Sequence, residues 1–121
     1  MTEPREARFL VGDRSAQELL EAVRRAVEEI GDASVHVSKS QIAFRRRRTF
    51  AAVWVPARYL RGRTAPLVLT VYLPFREPSP RWKEVVEPAP GRFTHHLELF
   101  APVDVDDQVL AWLRAAWEFA A

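Results

Sequence analysis

Apolar residues recur at helical spacing in the first part of the chain. From Ala16 to Ile30 they lie three or four positions apart, and charged residues occupy the opposite face. The pattern predicts an amphipathic helix. Ser15 with Glu18 three residues later is typical of the capping box that begins a helix. Gly31 stands where a C-terminal cap is expected.

Between Ser34 and Phe100 the spacing of apolar residues changes to two, which is typical of strands with one buried face. The pattern predicts about five strands. They centre on Val35–Val37, Ile42–Phe44, Thr49–Val55, Leu67–Leu73 and Phe93–Phe100. The segment from Pro74 to Gly91 contains five prolines and is predicted to be a loop, because proline cannot donate to a strand ladder or a helix.

A second helix is predicted near the end of the chain. Asp104 is expected to cap it, and Asp106 and Asp107 fall in its first turn, where the helix dipole favours acidic groups. A broad apolar stripe from Val105 to Trp117 follows. The element order, with short connections, predicts an α+β two-layer sandwich, in which an antiparallel sheet carries both helices on one face. We expect a single domain over residues 1–121, with an ordered core over about 9–120.

Charge is divided along the chain much as the predicted elements are. Residues 39–92, the predicted strands and loops, carry 12 basic and 3 acidic residues. Residues 1–38 carry 5 basic and 8 acidic residues, and residues 93–121 carry 1 and 5. We therefore expect one basic and one acidic side, which favours an anionic partner or a charged contact between copies.

The basic residues suggest where an anionic partner would bind. Four arginines, Arg45–Arg48, form a run between two strands that we call the arginine turn. In an up-and-down meander, the Pro74–Gly91 loop would lie at the same end of the sheet. The predicted anion or nucleic-acid site comprises Arg45, Arg46, Arg47, Arg48, Arg76, Arg81, Trp82, Lys83 and Arg92. Arginine beside a stacking aromatic suits single-stranded nucleic acid. The alternatives are a solvated turn and, for Trp82, a plug that pins the loop to the sheet.

The sheet face opposite the helices, the open face, offers a second candidate site. The alternation places Tyr72, His96 and Glu98 on it as ligand candidates. His95 is expected on the core face, since neighbours on a strand point to opposite sides. His36 could join His96 and Glu98 in a metal site, although their spacing matches no metal motif, and no metal is predicted.

The sequence contains no recognisable motif for catalysis or for cofactor binding. The chain has no Cys, which excludes disulfides and thiol catalysis. It shows no nucleophile elbow and no glycine-rich phosphate loop, so no catalytic residue and no cofactor are predicted. The N-terminus lacks the apolar core of a signal peptide, and the longest apolar stretch is too short to span a bilayer. A cytoplasmic location without membrane contact is expected.

Several short motifs occur in order from about Phe9 to Ala120. They are Ser38–Phe44, the arginine turn with Phe50-Ala51, Pro90-Gly91-Arg92, His95-His96, Asp106-Asp107, and Trp112-Leu113 with Ala116-Trp117. Together they resemble a bacterial domain of unknown function found alone or at the C-terminus of so-called predicted transport proteins. More distantly they resemble the YdhG-like domains, which include a frataxin-like member. The resemblance implies an α+β fold and a bacterial, intracellular setting, and no particular activity.

The function predicted is that of a small, non-enzymatic bacterial binding domain. Its basic sheet end would contact an anionic partner such as nucleic acid or an acidic protein. The first alternative is self-association into a homo-oligomer. The second is binding of a small ligand or metal ion on the open face, in a frataxin-like or YdhG-like role.

Overall fold

The helical and alternating patterns form helices and strands as predicted. The structure, a computed structural model, describes residues 14–58 and 60–121, so residues 9–13 of the predicted core and Tyr59 lie outside the described residues. The elements in chain order are α1 Arg14–Ile30, β1 Ser34–Val37, β2 Ile42–Arg45, β3 Thr49–Trp54, β4 Leu67–Leu73, β5 Glu84–Ala89, β6 Arg92–Leu99 and α2 Asp107–Phe119. Short 3-10 helices lie at Pro56–Arg58 and Pro102–Asp104.

The sheet is antiparallel throughout and has six strands in the order β1-β2-β3-β4-β6-β5. The α+β prediction is therefore confirmed, with one strand more than the approximate five. The additional strand is β5, so the prediction that Pro74–Gly91 is entirely loop was wrong. Pro88 is tolerated in β5 because β5 is an edge strand and its register with β6 shifts between Val86 and Ala89.

The core lies between the helices and one face of the sheet. It is built from the apolar stripes of α1 and α2 and the inward residues of the central strands, such as Leu67 and Leu69. A register shift leaves Phe50 as an extra residue in β3, opposite the step from Phe44 to Arg45. Phe50 and Ala51 consequently both belong to the buried cluster.

Two predicted caps differ from the observed ones. Helix α1 already includes Arg14, so Ser15 lies within the helix instead of capping it. Asp106, two residues after the predicted cap, accepts a hydrogen bond from Val109 N–H at the start of α2. Asp104 instead accepts from Phe100 N–H and Ala101 N–H, which holds the turn between β6 and α2. Several short acidic residues near the start of a helix can each accept a backbone hydrogen bond, and the sequence alone does not show which of them caps the helix.

Gly31 is required for packing and not for a left-handed cap. Positive φ angles occur at Gly62 and Gly91 among the described residues, and Gly31 is not one of them. A Cβ atom at position 31 would lie 2.5 Å from Trp117 Cζ2. The indole of Trp117 therefore occupies the space that any other residue would need. Neither helix of the described chain is both long and apolar enough to cross a membrane.

We predict that Gly31→Ala lowers the free energy of unfolding by about 1–3 kcal/mol, because the added methyl group overpacks the contact with Trp117. Chemical denaturation of the variant measures this change. In the double variant with Trp117→Phe, the smaller ring makes room, so the two effects should be less than additive. Fully additive losses would show that Gly31 and Trp117 do not meet.

Candidate anion-binding site

The arginine turn binds the end of α2. Arg46 Nη1 donates a 3.2 Å hydrogen bond to the Trp117 carbonyl, and its guanidinium lies 3.5 Å from the centre of the Trp117 ring. Arg48 Nη2 donates to the Phe119 carbonyl and lies over the Phe119 ring. The backbone N–H of Arg47 donates to the Ala120 carbonyl. The turn is therefore docked on α2 rather than simply solvated.

The chemistry of a helix end explains this docking. The last carbonyls of a helix lack partners within the helix and carry partial negative charge. The last turn of α2 contains no basic residue of its own. Arg46 and Arg48, about 70 positions earlier in the chain, supply the missing donors and the positive charge. Two of the four arginines thus have a structural role.

Beside this contact lies a groove of about 380 Å³, which we call the basic groove. Arg45, Arg48 and Arg92 line it together with Tyr72 and the ring of Phe119. The remaining lining residues are Thr49, Leu73, Ala116 and Ala120. No carboxylate is among them, so the charge of the three guanidinium groups is not balanced within the groove. Burial raises the pKa of Tyr72 above its usual value, so its hydroxyl is protonated and able to donate over an even wider pH range than an exposed tyrosine.

Arg76 and Arg81 do not line the basic groove. Arg76 follows β4 at the same end of the sheet, where its guanidinium lies 5.7 Å from the centre of the Phe93 ring. Arg81 lies at the opposite end of α2. Its Nη1 is 3.0 Å from Asp106 Oδ2 and 2.8 Å from Gln108 Oε1, and its Nη2 donates to the Asp104 carbonyl. The expectation that Arg81 would gather with the arginine turn at one end of the sheet was wrong, whereas Arg76 does lie at that end.

The segment after β4 explains this separation, because it crosses the helical side of the sheet instead of staying at one end. Trp82 is only 8% exposed and packs 4.2 Å from Trp112 and 4.8 Å from His95, measured between ring centres. Its indole N–H donates to Glu77 Oε1. The structure therefore matches the plug interpretation of Trp82, and it leaves no free ring face for a base. Lys83 pairs with Glu98 at 3.4 Å, also away from the arginine turn.

The open face carries the predicted side chains, and one of them, His96, belongs to a hydrogen-bonded row with Thr70 and Trp54. Tyr72, His96 and Glu98 project from it on β4 and β6, as the register of these strands requires. Thr70 Oγ1 lies 2.8 Å from His96 Nδ1 and accepts a 3.0 Å hydrogen bond from the indole N–H of Trp54. Burial lowers the pKa of His96. Sequence reasoning did not anticipate Trp54, although its alternation with Ala52 placed it on this face.

A metal site of His36, His96 and Glu98 does not form. Strand β1 carries His36 and is separated from β6 by three strands, a distance of about 19 Å at the usual strand spacing. His36 Nε2 instead lies 2.9 Å from Ser34 Oγ. Among the described residues, no group of three His, Asp or Glu side chains is placed to hold a metal ion.

His95 is fully buried on the core face, as predicted, with both ring nitrogens bonded. Its Nε2 accepts a 3.0 Å hydrogen bond from Glu77 N–H, which leaves Nδ1 to donate to the Phe93 carbonyl at 3.2 Å. This arrangement requires neutral imidazole. Burial lowers the pKa of His95, outweighing the opposing effect of the Phe93 carbonyl.

Comparison with known proteins places the whole fold in one family. A family model described as Domain of unknown function (DUF5655) matches residues 6–120. The chain belongs to the DUF5655 family. The resemblance to a domain of unknown function is thereby confirmed. No curated protein and no solved structure matches this DUF5655 domain.

We predict that Arg46→Ala lowers the free energy of unfolding of the DUF5655 domain by about 1 kcal/mol, because it removes a cation–π contact and a donor at the helix C-terminus. Thermal or denaturant unfolding measures the loss. Arg47→Ala is the matched control, since its contact to α2 is made by the backbone. Equal stability of the two variants would contradict a structural role for Arg46.

We also predict that the domain loses stability in acid through His95. The folded pKa lies below the ordinary value of about 6.5, so the unfolded state binds more protons between the two values. The free energy of unfolding must therefore fall as the pH drops below about 6.5. Denaturation curves across this range should show a weaker pH dependence in His95→Gln. The exposed His36→Gln should keep the wild-type dependence, and a wild-type slope in His95→Gln would contradict the assignment.

Proposed function

We propose that the protein is a non-enzymatic binding domain that holds a nucleotide of single-stranded nucleic acid in the basic groove. The observation that carries this proposal is the convergence of Arg45, Arg48 and Arg92 on one groove without a carboxylate among its lining residues. Guanidinium groups bind phosphate through charge-assisted hydrogen bonds. Three of them around one cavity favour a phosphate group.

The rest of the groove suits the sugar and the base of a nucleotide. The hydroxyl of Tyr72 is a donor near neutral pH, since the ordinary pKa of tyrosine is about 10 and burial raises the pKa of Tyr72 further. Leu73 and the Phe119 ring provide an apolar wall, against which a base or sugar can pack. A volume of about 380 Å³ lies in the range of small-ligand sites.

The same lining residues favour binding over catalysis. General acid–base catalysis commonly uses histidine or a carboxylate within hydrogen-bond reach of the reacting group. Neither residue type lines the basic groove. The histidines of the open face and the core are already hydrogen-bonded elsewhere. The groove offers positive charge and a hydroxyl donor, which are means of holding an anion.

We predict that a fluorescently labelled single-stranded oligonucleotide binds the protein at low salt, as measured by anisotropy. Log K should fall with log salt with a slope of about −0.7 for each phosphate contact. Arg92→Ala and Arg45→Ala should each weaken binding by about tenfold, because each removes a charged donor. Competition with free mononucleotide distinguishes a site for a single nucleotide from a site that requires a longer strand.

Arg114→Ala is the matched control for these variants. Arg114 is an exposed arginine on α2 that does not line the groove, so its loss changes the net charge equally and should leave affinity nearly unchanged. If Arg92→Ala and Arg114→Ala weaken binding equally, the oligonucleotide is held by general charge attraction and not by the basic groove. Absence of binding to any oligonucleotide at low salt would refute the proposal. Arg48→Ala is less informative, because it also weakens the contact with α2.

A further inference from the structure

The two edges of the sheet differ in how they are protected. Edge strand β5 contains Pro88 and an irregular register, both of which discourage pairing with another strand. Edge strand β1, Ser34–Val37, contains neither proline nor lysine and pairs regularly with β2. One edge of this sheet is therefore irregular, and the other, although only four residues long, keeps the regular geometry that can accept a strand.

The hydrogen-bond pattern shows which backbone groups of β1 point away from β2 and could pair with another strand. Ser38 N–H donates to the Gln41 carbonyl at the turn between β1 and β2. In an antiparallel ladder, bonded and non-bonded pairs alternate, so Val35 and Val37 belong to non-bonded pairs. Their N–H and carbonyl groups point away from β2. No hydrogen bond to either residue from another part of the described chain is present on that side.

Arg24 gives a second and independent reason to expect a partner at this edge. It is only 5% exposed, yet no residue within 14–58 and 60–121 forms a hydrogen bond or ion pair with its side chain. It lines a small groove of about 30 Å³ between α1 and β1, together with Glu28, Gly31 and Val35. A buried guanidinium without an anion is costly, so a carboxylate is expected to approach from this side.

Helix α1 itself carries such a carboxylate. Glu28 lies one turn after Arg24 on the same border of the helix and forms no ion pair with it within 4 Å, whereas Arg25 is paired with Glu21. The order of arginine before glutamate is the weaker one for pairing within a helix. Around a two-fold axis the second helix runs in the reverse direction, so each arginine can meet the glutamate of the other copy.

We propose that the protein forms a two-fold dimer through antiparallel pairing of β1 with β1 of a second copy. In this dimer, the outward groups of Val35 and Val37 complete a ladder across the two sheets. Arg24 of each copy pairs with Glu28 of the partner subunit, which supplies the missing anion. This inference does not rest on the basic groove, because none of Arg24, Glu28, Val35 and Val37 lines that groove.

Sedimentation velocity over a range of protein concentrations tests the proposal. The wild-type protein should dimerise, and Arg24→Glu or Glu28→Arg should each raise the dimer dissociation constant by at least about tenfold. Combining both changes in one chain restores opposite charges across the axis and should recover dimerisation. Arg25→Glu is the matched control, since Arg25 makes the same charge change on an exposed face of α1 and should leave the dimer intact.

A backbone variant gives a test that does not depend on charge. Val35→Pro removes an outward N–H without removing a bond to β2, so it should yield a folded monomer by circular dichroism and sedimentation. A wild-type protein that stays monomeric at every concentration would overturn the proposal. So would a dimer that survives both Val35→Pro and Arg24→Glu, because its interface would then lie elsewhere.

Discussion

The contact between the end of α2 and the arginine turn joins every layer of the structure. Trp117 lies at its centre, between the guanidinium of Arg46 and the position of Gly31. Its indole N–H donates a 2.9 Å hydrogen bond to the Asp32 carbonyl, just after α1. One side chain thus connects α1, α2 and the turn from β2 to β3. The unsatisfied carbonyls of a helix end are the constraint that requires such a connection.

This contact also determines which arginine side chains remain available to bind a ligand. Arg46 is committed to the helix end, and Arg48 serves both the helix end and the basic groove. Arg45 and Arg92 have no comparable contact with α2, and Arg45 Nη2 donates a hydrogen bond within the turn to the Arg47 carbonyl at 3.3 Å. Neither is paired with a carboxylate in the groove, so both supply it with positive charge. A variant of the arginine turn therefore changes stability and binding in different proportions, depending on which arginine is replaced.

The local spacing of apolar residues predicted most of the helices and strands. Contacts between segments that are distant in the sequence could not be predicted from it. The helix from Arg14 and the alternation of β4 follow directly from hydrophobic spacing. Strand β5 was missed because proline normally excludes a strand, and only its edge position makes Pro88 acceptable. The candidate site was partly predicted: Arg45, Arg48 and Arg92 do line one groove. Phe119 was not anticipated there, since its place depends on where α2 ends.

Part of the division of charge along the chain is used inside the fold. Arg81 from the basic middle segment binds Asp106 at the start of α2, and Arg46 from the same segment binds the carbonyls at its end. Although burial opposes this, the hydrogen bond from Val109 N–H and the guanidinium of Arg81 hold the pKa of Asp106 below its usual value. Opposite charges in sequence thus become neighbours in space. Within the described chain, the three arginines of the basic groove and the buried Arg24 are not paired with a carboxylate in this way, and for this reason they are places where a partner is to be sought.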